Sequence, residues 1–299
     1  MNLILFVSHS PISENFVTNF LKEAGGVLSL EVSNGNGKQI SFSEQFGLYA
    51  ARVLISKPLE RTQILVLRER LQKEKIDFLF LPSFLPKDQS SLFVFDMDST
   101  VIKEEVIDEL ARKHGVFEEV ASVTKKAMEG GMGFDEALRL RVKHLAGLSV
   151  QSFKEVYELL HLNEGMESIF QFVPSHGAKL GILSGGFSPV LELFSKKYPV
   201  DFFRANGLEE KEGIFTGNII GEIINREKKE VYLRKYASEL LVPLERVVAV
   251  GDGANDALML NAAGFGIGIH AKQGLKDQIT NWIEYTNLSA LVFLFEDSF

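Results

Sequence analysis

Two aspartates one residue apart, Asp96 and Asp98, followed by Ser99 and Thr100, are the side chains of this chain best suited to chemistry. They end an apolar run, Leu92, Phe93, Val94 and Phe95. After them the apolar positions Val101, Ile102, Val106, Ile107, Leu110 and Ala111 recur at helical spacing. The stretch therefore predicts a buried strand, a short polar turn and a helix that begins near Val101. Capping of that helix accounts for one of Asp98, Ser99 or Thr100. It leaves Asp96 unexplained, because a carboxylate placed directly after a buried strand is costly without a charged partner or a metal. A carboxylate nucleophile for phosphoryl transfer, beside a second carboxylate that handles protons, accounts for both.

Two more apolar strands end in the same manner. Leu180 to Leu183 stops at Ser184, Gly185 and Gly186. Small residues let backbone N–H groups approach a phosphate, and the hydroxyl adds a donor, although the same three residues also suit a plain turn. Val247 to Val250 runs into Gly251-Asp252-Gly253-Ala254-Asn255-Asp256 and then a helix. Carboxylates there suit Mg²⁺, which takes hard oxygen ligands. Asp256 could instead cap the helix, with Asp252 left free. Two acidic strand ends that face each other, however, repel without a cation. In a parallel α/β sheet the carboxyl ends of the strands are where ligands sit.

The elements that must position these residues divide the chain in two. Residues 1–88 read as a separate unit: a strand over Leu3 to Ser8, a helix over Glu14 to Gly25 and an alternating strand over Val27 to Ser33. A turn at Asn34-Gly35-Asn36-Gly37 follows, then strands at Tyr49 to Ser56 and Ile76 to Leu81 around a helix at Leu59 to Glu74. That order, βαββαβ, predicts a ferredoxin-like layer. His9 stands alone in it, as a turn or surface residue. Ser83 to Ser91 is polar, contains a proline and reads as a linker. Residues 89–299 form the second unit. Within it residues 104–167 are almost wholly helical, broken at Gly130-Gly131 and Gly147, and residues 200–225 carry β-like segments.

Composition narrows the function classes. The length of 299 residues allows about one to two domains. A net charge of −8 argues against a broad basic surface for nucleic acid, and it requires a local positive site for any anionic substrate. The absence of cysteine excludes disulfides and thiolate metal sites. The apolar start of the chain is too short for a membrane span and lacks a basic leader, so a cytoplasmic protein is expected.

DMDST after an apolar strand resembles motif I, DxDx(T/V), of the haloacid dehalogenase superfamily of aspartate-dependent phosphotransferases, and the whole pattern resembles its phosphoserine phosphatase branch. The resemblance spans about residues 91–275 and implies an α/β fold: a Rossmann-like parallel-sheet core with a helical cap inserted after motif I. The unit before it resembles a small α+β, ACT-like domain with a regulatory or dimerising role, hence a possible homodimer. The implied nucleophile is Asp96, with Asp98 as acid and base. The implied Mg²⁺ ligands are Asp96, Asp98 (through its backbone carbonyl) and Asp252, supported by Asp256. AMEGGMGFDEALRLRV, Ala127 to Val142, resembles the family's cap signature and places Arg141 on the substrate carboxylate. Met128, Gly131, Met132 and Phe134 would line the pocket mouth. Glu105, nine positions after Asp96, falls on the residue that binds the substrate ammonium. Ser184, Gly185 and a lysine 23 positions before Asp252, Lys229, fall on phosphate binders; Lys228 is adjacent, and only register separates the two. Asn255 orients, and His270 to Lys272 resembles the family's closing segment. The implied activity is Mg²⁺-dependent hydrolysis of O-phospho-L-serine, the last step of serine biosynthesis. Transfer of phosphate to another acceptor such as homoserine, and an inactive amino-acid-sensing protein, are the alternatives. No nucleic-acid or membrane partner is implied.

Overall fold

The computed structural model describes residues 2–28, 40–55 and 57–299. The first unit consists of β1 (Asn2–Ser8), α1 (Glu14–Leu28), β2 (Ile40–Gln45), β3 (Leu48–Ile55), α2 (Arg61–Leu71) and β4 (Asp77–Leu81). Its strands pair antiparallel in the order β2–β3–β1–β4, the arrangement of a ferredoxin-like layer. Of the strand expected over Val27 to Ser33 only the first two residues are described, and they are helical; the next described strand comes later. Val27 and Leu28 close α1, and the strand is Ile40–Gln45. A few alternating apolar residues fit a helix end as well as a strand. Residues 29–39, with the Asn34–Gly37 turn, lie outside the described residues.

Both faces of β1 are buried, because its run NLILFVS is apolar without alternation. Ile4 and Phe6 pack against α1 and α2. Leu3, Leu5 and Val7 belong to the core of the second unit. The same core includes the stretch Leu288–Leu294, in which every residue is buried and which packs against β3 of this sheet.

The second unit is built on a seven-stranded sheet, β11–β10–β9–β5–β6–β7–β8. In chain order its elements are β5 (Leu92–Phe95), α3 (Val106–His114), α4 (Phe117–Met128), α5 (Phe134–His144), α6 (Gln151–Tyr157), α7 (Met166–Ser175) and β6 (Lys179–Phe187). Then come α8 (Ser188–Lys197), β7 (Phe202–Lys211), β8 (Ile214–Ile220), α9 (Arg226–Glu239), β9 (Val247–Gly251), α10 (Ala257–Ala262), β10 (Phe265–Ile269), α11 (Gln273–Lys276) and β11 (Trp282–Ile283). All neighbours are parallel except β8, which returns antiparallel along β7. β5 is central, and Phe95 pairs with Ile182 of β6 and Val250 of β9. Asp96 lies one residue beyond these two pairings, and Ser184 and Asp252 lie two residues beyond, so register brings the three polar strand ends to one edge.

The helix expected from Val101 begins at Val106 instead. Met97–Val101 forms a wide five-residue turn with Ser99 in the left-handed region at φ 55°. That turn lets Asp98 and Glu105 face each other across it. The helices α3 to α6 leave the core and return at one point: Ile102 bridges Leu162, and the Lys103 N–H donates to the His161 carbonyl at 3.0 Å. The insertion therefore closes before α7, which packs into the core. Among the described residues no helix is long and apolar enough to cross a membrane.

The stretch expected as a linker is pinned rather than loose. Leu85 is fully buried, its N–H donates to Leu294 at 2.8 Å, and its carbonyl accepts from Glu296 at 3.0 Å. A single carboxylate ties β4 to the second unit. Asp77, 2% exposed, accepts from the backbone of Glu284 (2.7 Å), Tyr285 (3.1 Å) and Thr286 (2.8 Å) and from the Thr286 hydroxyl (2.6 Å). Removing it strands buried donors, each costing about 1–3 kcal/mol. Asp77→Ala is expected to lower stability in urea denaturation by about 3 kcal/mol or more. A loss below about 1 kcal/mol would show that this carboxylate does not hold the two units together.

Candidate active site

Each side chain of the site sits where a strand stops. Asp96 follows β5, and its N–H continues the sheet by donating to Val250 at 2.9 Å. Its Oδ1 accepts the Met97 N–H at 2.7 Å and lies 2.8 Å from the Lys229 ammonium. Asp252 follows β9, and Asp256 stands at the start of α10. Asp96, Asp252 and Asp256 are all buried and bring one oxygen each within 4.8 Å of one another. Gly251 permits this: a Cβ there would lie 2.4 Å from the Asp256 carboxyl.

Lys229 is the buried cation among them. It projects from the first turn of α9, fully buried, 2.7 Å from Asp256 Oδ1 as well as 2.8 Å from Asp96. Its neighbour Lys228 points away and pairs with Glu222 at the surface. One residue of helix rotates the side chain by about 100°, which is why adjacent lysines face opposite environments. Asn255 donates to Asp96 Oδ2 and Asp256 Oδ1 at 3.4 Å each.

Asp98 lies apart from the three metal-facing carboxylates. Its Oδ1 accepts the Val106 N–H at 2.8 Å, so it caps α3 from across the turn. Glu105, at the N-terminus of α3, accepts from the Ser99 hydroxyl at 2.8 Å. Arg141, on cap helix α5, lies within electrostatic reach of Glu105, Asp108 and Asp98 and forms no salt bridge among the described residues. Arg139 is exposed. Phe134 packs over the strand end of β6, where a Cβ at Gly185 would lie 3.2 Å from its ring. Gly131 and Met132 lie at the surface nearby, and the side chain of Met128 lies outside the description. His9 is exposed and in no cluster.

The Ser184-Gly185-Gly186 segment presses on Asp98: a Cβ at Gly186 would lie 2.8 Å from Asp98 Oδ2. The Ser184 hydroxyl accepts the Gly186 N–H at 2.8 Å. Two residues to which the sequence reading gave no role of their own support this region. Asn206, fully buried on β7, donates to the carbonyls of Gly185 (2.7 Å) and Gly186 (3.0 Å) and accepts the Ile224 N–H. It fixes both peptide planes. The signal was an asparagine inside a predicted strand, a position where it needs a specific partner. The other is Lys272, whose ammonium lies 2.8 Å from Asp252 Oδ2 and 3.6 Å from Glu105 Oε1.

The electrostatics follow from crowding and burial. Burial, and then the Glu105 charge, hold the Asp98 carboxyl well above the usual carboxylate range. Burial, and then the Asp96 charge, raise Asp252 and push Asp256 up to about 7. Burial also raises Glu105. It opposes the Lys229 ammonium, but Asp256 and Asp96 outweigh it and push that group up. With every group ionised, five carboxylates (Asp96, Asp98, Asp252, Asp256 and Glu105) face Lys229, Lys272 and Arg141, and two negative charges remain uncompensated. A convergent set of hard oxygens with that excess fits a divalent cation.

Comparison with known proteins agrees with this geometry. Residues 93–261 match the family model of haloacid dehalogenase-like hydrolases. A phosphoserine phosphatase of Archaeoglobus fulgidus is 39% identical over 228 residues, covering 75% of this chain and 66% of that protein. The phosphoserine phosphatase SerB2 of Mycobacterium tuberculosis is 40% identical over 68% of this chain and 50% of its own, so this chain spans between half and two thirds of those two relatives. A phosphoserine phosphatase of Streptococcus thermophilus is 37% identical over 69% of this chain and 96% of its own. Among solved structures, a haloacid dehalogenase family hydrolase of Salmonella enterica serovar Typhi superposes over 100% of this chain and 99% of its own, with TM-score 0.84 and 28% identity. On the family model, which matches more than half of the chain, and on these identities, the chain belongs to the haloacid dehalogenase-like hydrolase family.

Proposed function

We propose that this chain is a phosphoserine phosphatase that hydrolyses O-phospho-L-serine to L-serine and phosphate, the reaction that completes serine biosynthesis. The observation that carries this is the placement of Asp96. It ends the central strand beside Asp98 and Lys229, below a cap that brings Arg141 toward Glu105. Its relatives of known name along most of the chain are phosphoserine phosphatases.

Hydrolysis of phosphate monoesters is among the slowest of uncatalysed reactions, so positioning and electrostatics must supply the rate. An Asp96 oxygen attacks phosphorus while the bond to the serine oxygen breaks. Asp98 delivers its proton to that leaving oxygen, a task suited to a carboxyl held above its ordinary range. The aspartyl phosphate is then cleaved by water, which loses a proton to Asp98 as its oxygen attacks phosphorus. This step frees phosphate and restores both aspartates. Lys229, Ser184 and the Gly185 amide carry the negative charge of the phosphoryl oxygens, and Asn255 orients them. Glu105 takes the substrate ammonium, and Arg141 takes its carboxylate as a bidentate fork. The cofactor we assign is Mg²⁺, held by Asp96, Asp252 and the Asp98 backbone carbonyl with Asp256 behind; when bound it neutralises charge on the transferred group. The cap excludes bulk water. We place the reaction in the cytoplasm, in keeping with a chain free of cysteine. Pairing of two chains through the N-terminal unit, whose described sheet ends at β2 with Phe42 41% exposed, is the partner arrangement that goes with it.

Phosphate release from O-phospho-L-serine, phosphothreonine and p-nitrophenyl phosphate, in Mg²⁺ and in EDTA, tests the proposal. Strong Mg²⁺-dependent preference for phosphoserine is expected; turnover of the aryl ester alone, or turnover in EDTA, rejects it. Asp96→Asn should remove turnover by at least about 10³-fold in a chain that still folds, since the amide cannot attack. Arg141→Ala should reduce kcat/KM for phosphoserine by about 10²-fold or more and leave p-nitrophenyl phosphate within a few-fold. Equal losses for the two esters exclude Arg141 as the carboxylate reader.

The pH profile has a determined sign. Asp98 must hold a proton to act as acid, so kcat/KM falls on the alkaline side as that proton is lost. Glu105 raises the Asp98 value by charge repulsion, so Glu105→Gln makes ionisation of Asp98 easier. With an alkyl ester such as ethyl phosphate, which has no ammonium to bind and whose alkoxide leaving group needs a proton, the alkaline limb of Glu105→Gln should move to lower pH. An unmoved limb separates Asp98 from the acid role.

A further inference from the structure

Lys272 is a charged residue at the site to which the reaction above gives no task. It stands just before α11, where its N–H donates to the Asp252 carbonyl at 2.8 Å. Its ammonium reaches back to Asp252 Oδ2 at 2.8 Å and toward Glu105 Oε1 at 3.6 Å. Backbone and side chain of one residue thus hold the aspartate that faces the metal-binding group. Lys229 does the corresponding work on the other side, between Asp96 and Asp256. The two lysines differ in freedom. The Lys229 side chain is 1% exposed and walled in, whereas that of Lys272 is 56% exposed. A half-exposed ammonium on a four-carbon stem can leave a carboxylate for water at small cost. Glu105 gives it a second partner when it does.

We propose that Lys272 is an internal stand-in for the divalent cation: it neutralises Asp252 while the metal is absent and gives way when the metal binds. The inference rests on the metal reading of the site, and its measurement needs no substrate. Two cations that use one carboxylate lower each other's affinity, and the coupling is reciprocal. The lysine therefore keeps the empty site folded against carboxylate repulsion and, by the same interaction, weakens metal binding. It is a positioning residue, since it acts through Asp252 and touches no reacting atom.

Calorimetric Mg²⁺ binding and thermal unfolding of the full chain test this. Lys272→Met is expected to bind Mg²⁺ about tenfold more tightly than the wild type, while Lys272→Arg, which keeps the charge, stays within about twofold. In EDTA, Lys272→Met should melt several degrees lower, and saturating Mg²⁺ should raise its Tm by more than it raises that of the wild type. Unchanged or weaker Mg²⁺ binding in Lys272→Met overturns the proposal, as do equal Tm gains. A variant that folds only in Mg²⁺ supports it, and one that folds in neither buffer overturns it. Wild-type chain that binds Mg²⁺ without hydrolysing phosphoserine would reject the substrate reading and leave this inference standing.

Discussion

The structure depends on an electrostatic conflict resolved by Lys229. Three aspartate carboxylates converge within 4.8 Å at the ends of β5 and β9, inside the fold. Left alone they would repel and carry a large desolvation cost. A fully buried ammonium between Asp96 and Asp256 makes the arrangement tenable. Buried pairs of this kind add little net stability compared with apolar packing. What the pair supplies is placement: it holds three carboxylates and an ammonium together in fixed positions at one edge of the sheet.

The rest of the second unit serves that cluster. Parallel pairing of β6, β5 and β9 sets three polar strand ends side by side, and glycines at 186 and 251 let the chains approach without a Cβ in the way. The helical insertion leaves after the turn that carries Asp98 and returns where Leu162 bridges Ile102, so the helices bearing Arg141 and Phe134 are anchored close to that turn. Asn225 at the start of α9 donates to Asp135 of the cap at 3.1 Å. This bond links the lid to the helix that carries Lys229.

The first unit is joined to this machinery more closely than a tethered module would be. One face of its sheet is part of the main core, its edge strand is fastened by Asp77 and Asn281, and Arg61 donates to the carbonyls of Lys276 and Asp277 just after α11. Since α11 follows Lys272, the first unit also braces the segment that presents that lysine to Asp252. The sequence reading gave Leu3 to Ser8 as a strand and did not show that Leu288–Leu294 would share a core with it.

Local chemistry was legible in the sequence wherever a residue type contradicted its surroundings. Asp96 after four apolar residues and the aspartates of Gly251 to Asp256 pointed to a ligand, whereas serine before two glycines also suited a plain turn and gained meaning only beside them. The order βαββαβ followed from apolar periodicity, except where Val27 and Leu28 fitted helix and strand alike. Tertiary structure decided which of two adjacent lysines turns inward, the wide turn that delays α3 to Val106, the role of Asn206 behind the glycines and the meeting of Lys272 with Asp252 and Glu105. The physical reason is range. Propensity, capping and burial act over a few residues and are written into local sequence. Pairing Lys229 with Asp96, or Lys272 with Glu105, depends on distances set by sheet register and by loops more than a hundred residues apart, which no local pattern specifies.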